Sequence, residues 1–139
     1  MKTPQRENAS ECAERTDRST TVADLRAMMD AFVRARLWKK YHQPKNLAMS
    51  LAVEAAELME HFQWLTPRQA RALLKEPAAR KEVADEMADV LAFLLSLANA
   101  TGIDLSAAFV AKMATNERKY PAHLCRGDYR KPRPGSRDA

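Results

Sequence analysis

Apolar residues recur along this chain at the three-and-four spacing of an α-helix in three long stretches. Leu25, Met28, Phe32 and Ala35 form the first, and Leu51, Ala55, Leu58 and Phe62 the second. Val83, Met87, Val90, Leu94 and Leu97 form the third. At 3.6 residues per turn each set falls on one side of a helix, the stripe that a bundle buries. Thr20 or Thr21 can cap the first helix, with Asp24 in its first turn, and the spacing predicts that it runs to about residue 40. Residues 41–44 should break it, because the residue before a proline avoids the helical region. A second helix is predicted over about 45–64. Thr66-Pro67-Arg68-Gln69 is a capping box with proline at the first helical position, opening a short helix to about residue 75. The third long helix should run over about 77–100 and close on Gly102; a fourth, capped by Asp104, should run to about Lys119 and stop before Pro121. The expected fold is all-α, a four-helix bundle over residues 20–120.

Composition supports that reading and narrows the rest. A chain of 139 residues suits one core, and its seven prolines and three glycines gather near the predicted helix ends. Cys12 and Cys125, in polar terminal segments, give neither a disulfide framework nor zinc spacing, which fits a reducing compartment. Residues 1–19 are charged and unlike a signal peptide, and the apolar run 90–98 is too short to span a bilayer. A soluble cytoplasmic protein without membrane partners is the expectation. The net charge of +5 comes from 23 Lys+Arg against 18 Asp+Glu. Much of it lies in residues 121–139, where Arg126, Arg130, Lys131, Arg133 and Arg137 face only Asp128 and Asp138 among prolines and glycines. Such a segment reads as a basic disordered tail before it reads as a nucleic-acid arm, and residues 1–19 read as a second tail. Residues 90–97 are apolar nearly all round, which a small bundle can bury only by oligomerising.

Against this basic background two helices are acidic. Residues 46–67 carry Glu54, Glu57 and Glu60 with His61 as the one potential cation; residues 82–111 carry Glu82, Asp85, Glu86, Asp89 and Asp104 with no Lys, Arg or His. Glu54-x-x-Glu57 and Glu86-x-x-Asp89 are i, i+3 pairs, and each acid stands one residue before a stripe position. If the stripes of the two helices meet, four carboxylates converge at the edge of the core. A solvated acidic face usually carries i+4 lysines or arginines; here those neighbours are Leu58, His61, Val90 and Phe93. Two carboxylates about 5 Å apart repel by roughly 3 kcal/mol at an effective dielectric near 20, so a divalent cation is the natural counter-charge. Carboxylate-bridged iron bundles use Glu-x-x-His. An all-oxygen set suits Mg²⁺, with Mn²⁺ as the alternative, and magnesium in turn favours phosphate oxygens and water. A phosphate-bearing substrate follows. Cations for its far end must come from elsewhere, and Lys112, Asn116 and Lys119 fall on one stripe of the fourth helix at i, i+4 and i+7. A solvated helix end is the plain alternative for that stripe. Trp38 and Trp64, each near a predicted helix end, could stack on a base or simply pack in a core.

The order Glu-x-x-Glu then Glu-x-x-Asp resembles the all-α nucleoside triphosphate pyrophosphohydrolases, the MazG-like superfamily. Trp38, residues 42–47, 54–64, 86–91 and 116–123 are similar to its animal dCTP pyrophosphatase branch, so the resemblance spans about residues 22–124. It implies that type of bundle, assembled as a dimer of dimers. It also implies Mg²⁺-dependent conversion of a pyrimidine dNTP, dCTP or a modified dCTP first, to dNMP and pyrophosphate in nucleotide-pool cleansing. The metal would be held by Glu54, Glu57, Glu86 and Asp89, with Glu54 also a general base. Asn116, Lys119 and Tyr120, with Lys112, would hold phosphates; Trp38 and Trp64 would stack on the base, with His42 or Asn46 hydrogen bonding to it. Two positions depart from the branch: Met29 stands where it carries a histidine, and Phe93 where it carries a tyrosine. Their loss weakens the preference for cytosine and keeps a dUTP or broad dNTP hydrolase open. A non-enzymatic helical module with a nucleic-acid-binding basic tail is the competing reading from another class.

Overall fold

The computed structural model describes residues 15–127, and among them the chain forms helices and no strand. They are α1 (Val22–Ala35), a 3₁₀ turn (Trp38–Lys40), α2 (Pro44–Glu60), α3 (Pro67–Leu73), α4 (Pro77–Thr101), α5 (Leu105–Lys119) and α6 (Ala122–Cys125). The all-α expectation holds. One compact unit ends at Gly102, and a second begins at Ile103 and carries α5 and α6. Most of the two tails read over 1–19 and 121–139 lies outside the described residues. Within their described parts, residues 17–19 form a turn and 122–125 the single turn α6.

Local chemistry sets most boundaries. The Thr21 hydroxyl accepts from Asp24 N at 3.1 Å while the Asp24 carboxylate accepts from Thr21 N at 2.8 Å. Thr66 and Gln69 form the same reciprocal box at 3.3 and 2.9 Å. The Asp104 carboxylate accepts from Ala107 N at 2.9 Å, and Gly102 ends α4 at φ 70°, a conformation glycine adopts without strain.

Two ends differ from the expectation. The first helix stops at Ala35, not near Lys40, because Leu37 turns into the left-handed region at φ 56°, ψ 31°. Contacts made after the turn, between Trp38 and Phe32 and between Lys39 and Asp30, accompany this stop, and no local spacing encodes them. α2 ends at Glu60, and residues 61–65 continue as tight turns held by Phe62 N to Met59 O and Leu65 N to Phe62 O, both 2.9 Å. Trp64 therefore stands beyond the helix rather than on it.

In the first unit both α1 and α2 pack on α4. The buried apolar residues are Val33, Leu47, Val83, Leu95 and Ala98. The stripe expected on α1 is displaced: Val33 is buried, whereas Met28, Phe32 and Ala35 are exposed. A shift of one residue turns the face by about 100°. On the other two helices the expected stripes largely turn inward: Leu51, Leu58, Phe62, Val90, Leu94 and Leu97 are half-buried and Val83 is buried. Glu54 is half-buried where Ala55 is exposed, and Glu86 is half-buried where Met87 is exposed. Two of the acids thus border the inward face, each one residue before an exposed stripe position.

Candidate functional site

α2 and α4 meet along a seam at which α2 contributes Glu54 and Glu57 and α4 contributes Glu86. Oxygens of Glu54, Glu57 and Glu86 all lie within 4.8 Å of one another, Glu54 and Glu86 half-buried and Glu57 exposed. Nothing in the sequence of either helix relieves this crowding. Asp85 has a partner, since Lys81, one turn before it, pairs with its carboxylate. The acidity of α4 is to that extent locally answered. None of the ion pairs among the described residues involves Glu54, Glu57, Glu86 or Asp89. The carboxyl of Glu54 is held above its ordinary pKa, first by partial burial and then by the charges of Glu57, Asp89 and Glu86.

The donor set fits a hard divalent cation. Three carboxylates close enough to share one ion, all oxygen, are what Mg²⁺ or Mn²⁺ takes. Glu86 Oε2 is buried with no hydrogen-bond partner, a state that costs free energy until a cation or donor reaches it.

Asp89 stands apart from this trio yet near enough to raise the pKa of Glu54. It lines a cavity of about 320 Å³ whose other walls are Met29, Phe32, Trp38, His42, Ala92 and Phe93. One carboxylate therefore borders both the acidic cluster and an apolar, aromatic recess. The recess lies between α1, the chain that follows it and α4. After Leu37 reverses the chain, the Trp38 ring meets Phe32 edge to face, centroids 5.9 Å apart at 74°. A flat base is the kind of group such walls accept.

The residues expected to bind substrate divide accordingly. Trp38 and His42 line the recess. Trp64 does not: it is 87% exposed in the turn after α2. Asn46 lies two turns before Glu54 on the same face of α2, beside it in a shallow cleft, and its amide donates to Tyr41 O at 3.3 Å. In the second unit Lys112 and Lys119 are exposed on α5, Asn116 is half-buried, and Tyr120 caps the helix with its N–H on Asn116 O at 2.8 Å. Lys119 Nζ sits 5.3 Å from the Tyr120 ring centre. Phe32, which the sequence assigns to the core stripe, lines the recess, as do Met29 and Phe93, known from the sequence only as departures. The spacing of Phe32 and Trp38 held the signal, but only once the helix is known to stop between them.

Comparison with known proteins agrees with this geometry. Residues 49–125 match the family model described as the MazG-like family. The chain is 40% identical over 111 residues to dCTP pyrophosphatase 1 of Homo sapiens, covering 80% of this chain and 65% of that protein. It is 38% identical over 107 residues to the rat protein of the same name, covering 77% and 63%. The match thus spans just under two thirds of the length of these relatives. Among solved structures, a pyrophosphatase from Archaeoglobus fulgidus superposes with a TM-score of 0.67 at 36% identity, over 86% of this chain and 99% of that one.

Proposed function

Because the chain belongs to the MazG-like family, we propose that it is a nucleoside triphosphate pyrophosphohydrolase. Its reaction would convert a pyrimidine dNTP, dCTP or a modified dCTP first, to dNMP and pyrophosphate. Relatives named dCTP pyrophosphatase support the substrate, and the carboxylate trio beside an aromatic recess carries the reading.

Glu54, Glu57 and Glu86, joined by Asp89, would hold Mg²⁺, or Mn²⁺ in its place. When bound, the ion neutralises the triphosphate and lowers the pKa of water beside it. The protein's own residues do the remainder. Glu54, at the centre of the acidic cluster, takes the proton of the attacking water as general base. Trp38 stacks on the base in the recess with Phe93 and Met29 as its apolar neighbours, and His42 is the hydrogen-bonding group on that wall. Asp89 joins base site to phosphate site. Lys112, Asn116, Lys119 and Tyr120 supply contacts for the phosphates, and Trp64 and Asn46 join the substrate contacts as the molecule assembles.

A dimer of dimers is part of the proposal. Met28, Phe32, Met87, Leu91, Phe109 and Val110 are large apolar residues exposed on the single chain, surface that assembly would cover. Light scattering on the purified protein gives the mass. Membrane and nucleic-acid partners have no place in this reading, and a cytoplasmic location suits it; among the described residues no single helix is long and apolar enough to cross a membrane.

A second reading, dUTP or broad dNTP hydrolysis, is favoured by one observation: Met29 and Phe93 are apolar walls, which leaves only His42 and Asp89 in the recess to read the edge of a base. Pyrophosphate release from each dNTP and from 5-methyl-dCTP, with Mg²⁺ and with EDTA, tests both. Release from dCTP that needs Mg²⁺ supports the first; equal release from all pyrimidines supports the second. No release from any, with salt-sensitive retention of the chain on nucleic acid, would favour a non-enzymatic helical module acting through its basic tail.

A further inference from the structure

Trp38 sits in a three-residue 3₁₀ turn and is 43% exposed; its aromatic partner Phe32 is 42% exposed. Core burial holds neither ring. Both nevertheless stand as adjoining walls of the recess. Tethers on either side of Trp38 supply the order that burial does not. On one side Arg36 lays its guanidinium over the Phe32 ring, 3.5 Å from the centroid, and donates from Nη1 to the Phe32 carbonyl at 3.1 Å. The same guanidinium is 5.8 Å from the Trp38 ring centre. On the other side Lys39 reaches Asp30 at 3.7 Å. The strained residue Leu37, φ 56°, lies between Arg36 and Trp38 and aims the tryptophan back at α1. Arg36 itself is not a wall of the recess.

We propose that Arg36 is a positioning residue for the nucleotide base, acting through Phe32 and Trp38 rather than touching the substrate. The inference rests on the reading that the recess takes the base. A stacking platform that must be ordered at each encounter weakens binding, whereas one clamped in advance does not. A planar guanidinium on an aromatic face suits that task better than an ammonium, because it stacks and hydrogen bonds at once.

The test is steady-state kinetics of pyrophosphate release from dCTP with Arg36→Ala, Arg36→Lys, Trp38→Ala and the double variant Arg36→Ala/Trp38→Ala, in the full chain. Arg36→Ala should raise KM by roughly two- to fivefold with kcat unchanged, the signature of lost uniform binding. Arg36→Lys should recover only part of that loss. Trp38→Ala should raise KM by at least about fivefold, and adding Arg36→Ala to it should change nothing more. Acrylamide quenching of Trp38, read in a Trp64→Phe background, should increase when Arg36 is replaced. Full rescue by lysine, or losses that multiply in the double variant, would overturn the proposal by showing that the charge acts on the substrate directly. An unchanged KM in Trp38→Ala would instead overturn the reading of the recess as the base site. Should Arg36→Ala misfold by circular dichroism, Arg36→Gln, which keeps a donor for the Phe32 carbonyl, takes its place with the same expectations.

Discussion

A carboxylate oxygen of Glu86 on α4 lies within 4.8 Å of one on Glu54 of α2, and Glu86 Oε2 is buried without a hydrogen-bond partner. Two helices pack here across a repulsive, partly desolvated pair. Packing of that kind is expected where the assembled state includes a cation. Mg²⁺ should therefore raise the thermal midpoint of the wild-type chain, and EDTA should lower it. Glu86→Gln should shrink that response, because one of the four proposed ligands is weakened, while the metal-free protein is as stable as wild type or more so. Differential scanning fluorimetry across a Mg²⁺ titration decides it; a midpoint indifferent to Mg²⁺ would refute the metal centre.

Glu54→Gln separates chemistry from binding. The amide keeps the shape of the side chain and removes its basicity, so kcat should fall by roughly 10²- to 10⁴-fold, the usual contribution of a positioned base. Nucleotide binding should persist with a weakened Mg²⁺ dependence. Stopped-flow release of pyrophosphate, paired with calorimetric binding of a non-hydrolysable dCTP analogue, reads the two effects independently.

The raised pKa of Glu54 fixes the direction of a pH effect. Burial and the charges of Glu57, Asp89 and Glu86 favour the protonated form in the folded state relative to the ordinary value of 4.5. Its contribution to stability is thus fully present below 4.5 and is lost as pH rises through the higher folded value. In EDTA, wild type should lose stability relative to Glu54→Gln as pH rises through the window just above 4.5, and the two should converge below it. Mg²⁺ affinity should move the opposite way, falling as Glu54 takes up its proton. Asp24 carries the opposite sign at lower pH: its carboxyl is held below 3.8 by the hydroxyl and backbone N–H of Thr21, so its contribution is present above 3.8 and lost as pH falls through the depressed value. Melting curves of the two proteins across pH separate the windows.

Local signals and tertiary contacts divided the legibility of this fold. Thr21, Thr66, Asp104 and Gly102 act through bonds to their own neighbours, so their spacing in the chain was enough to place four helix ends. The acids were legible because i, i+3 spacing is a helical property, and Glu54, Glu57 and Glu86 do meet. The face each helix turns inward was less so. On α1 the apolar spacing pointed to Phe32, yet Val33 is the buried residue; on α2 and α4 most stripe positions do turn inward, with Glu54 and Glu86 half-buried beside them. The left-handed turn at Leu37 was invisible, because leucine carries no preference for it and only the later contacts of Trp38 and Lys39 accompany it. With that turn unseen, Phe32 read as core, where the structure has a cavity wall.

Leu37 offers a direct test of that turn. A non-glycine residue in the left-handed region costs about 1–2 kcal/mol, and glycine adopts it freely at an entropic cost of roughly 0.5–1 kcal/mol in the unfolded chain. The side chain is 80% exposed, so little burial is lost on replacing it. Leu37→Gly should leave stability unchanged or raise it by up to about 1 kcal/mol. Leu37→Val, whose branched Cβ crowds the backbone further, should lower it. Urea denaturation of the three proteins, with equal m-values as the check on two-state behaviour, gives the order.

The α1–α4 seam is polar where it could have been apolar, and that choice has a measurable consequence. Arg26 Nε donates to Asn99 Oδ1 at 2.9 Å and Nη2 to the Ala98 carbonyl at 3.2 Å, while the Asn99 amide donates back to the Arg26 carbonyl at 2.9 Å. Both side chains are half-buried, so removing one strands the other. Asn99→Leu should cost about 1–3 kcal/mol, and Arg26→Leu/Asn99→Leu less than the two single losses together, because the double variant leaves no orphaned group on either side. The walls of the recess come from both helices, Met29 and Phe32 from α1 and Phe93 from α4. A loosened seam should therefore raise KM for the nucleotide while kcat, set by the acids between α2 and α4, stays within about twofold. Denaturation curves and kinetics on the same four proteins read both effects, and equal losses in kcat and in kcat/KM would show that this seam supports the acidic cluster as well.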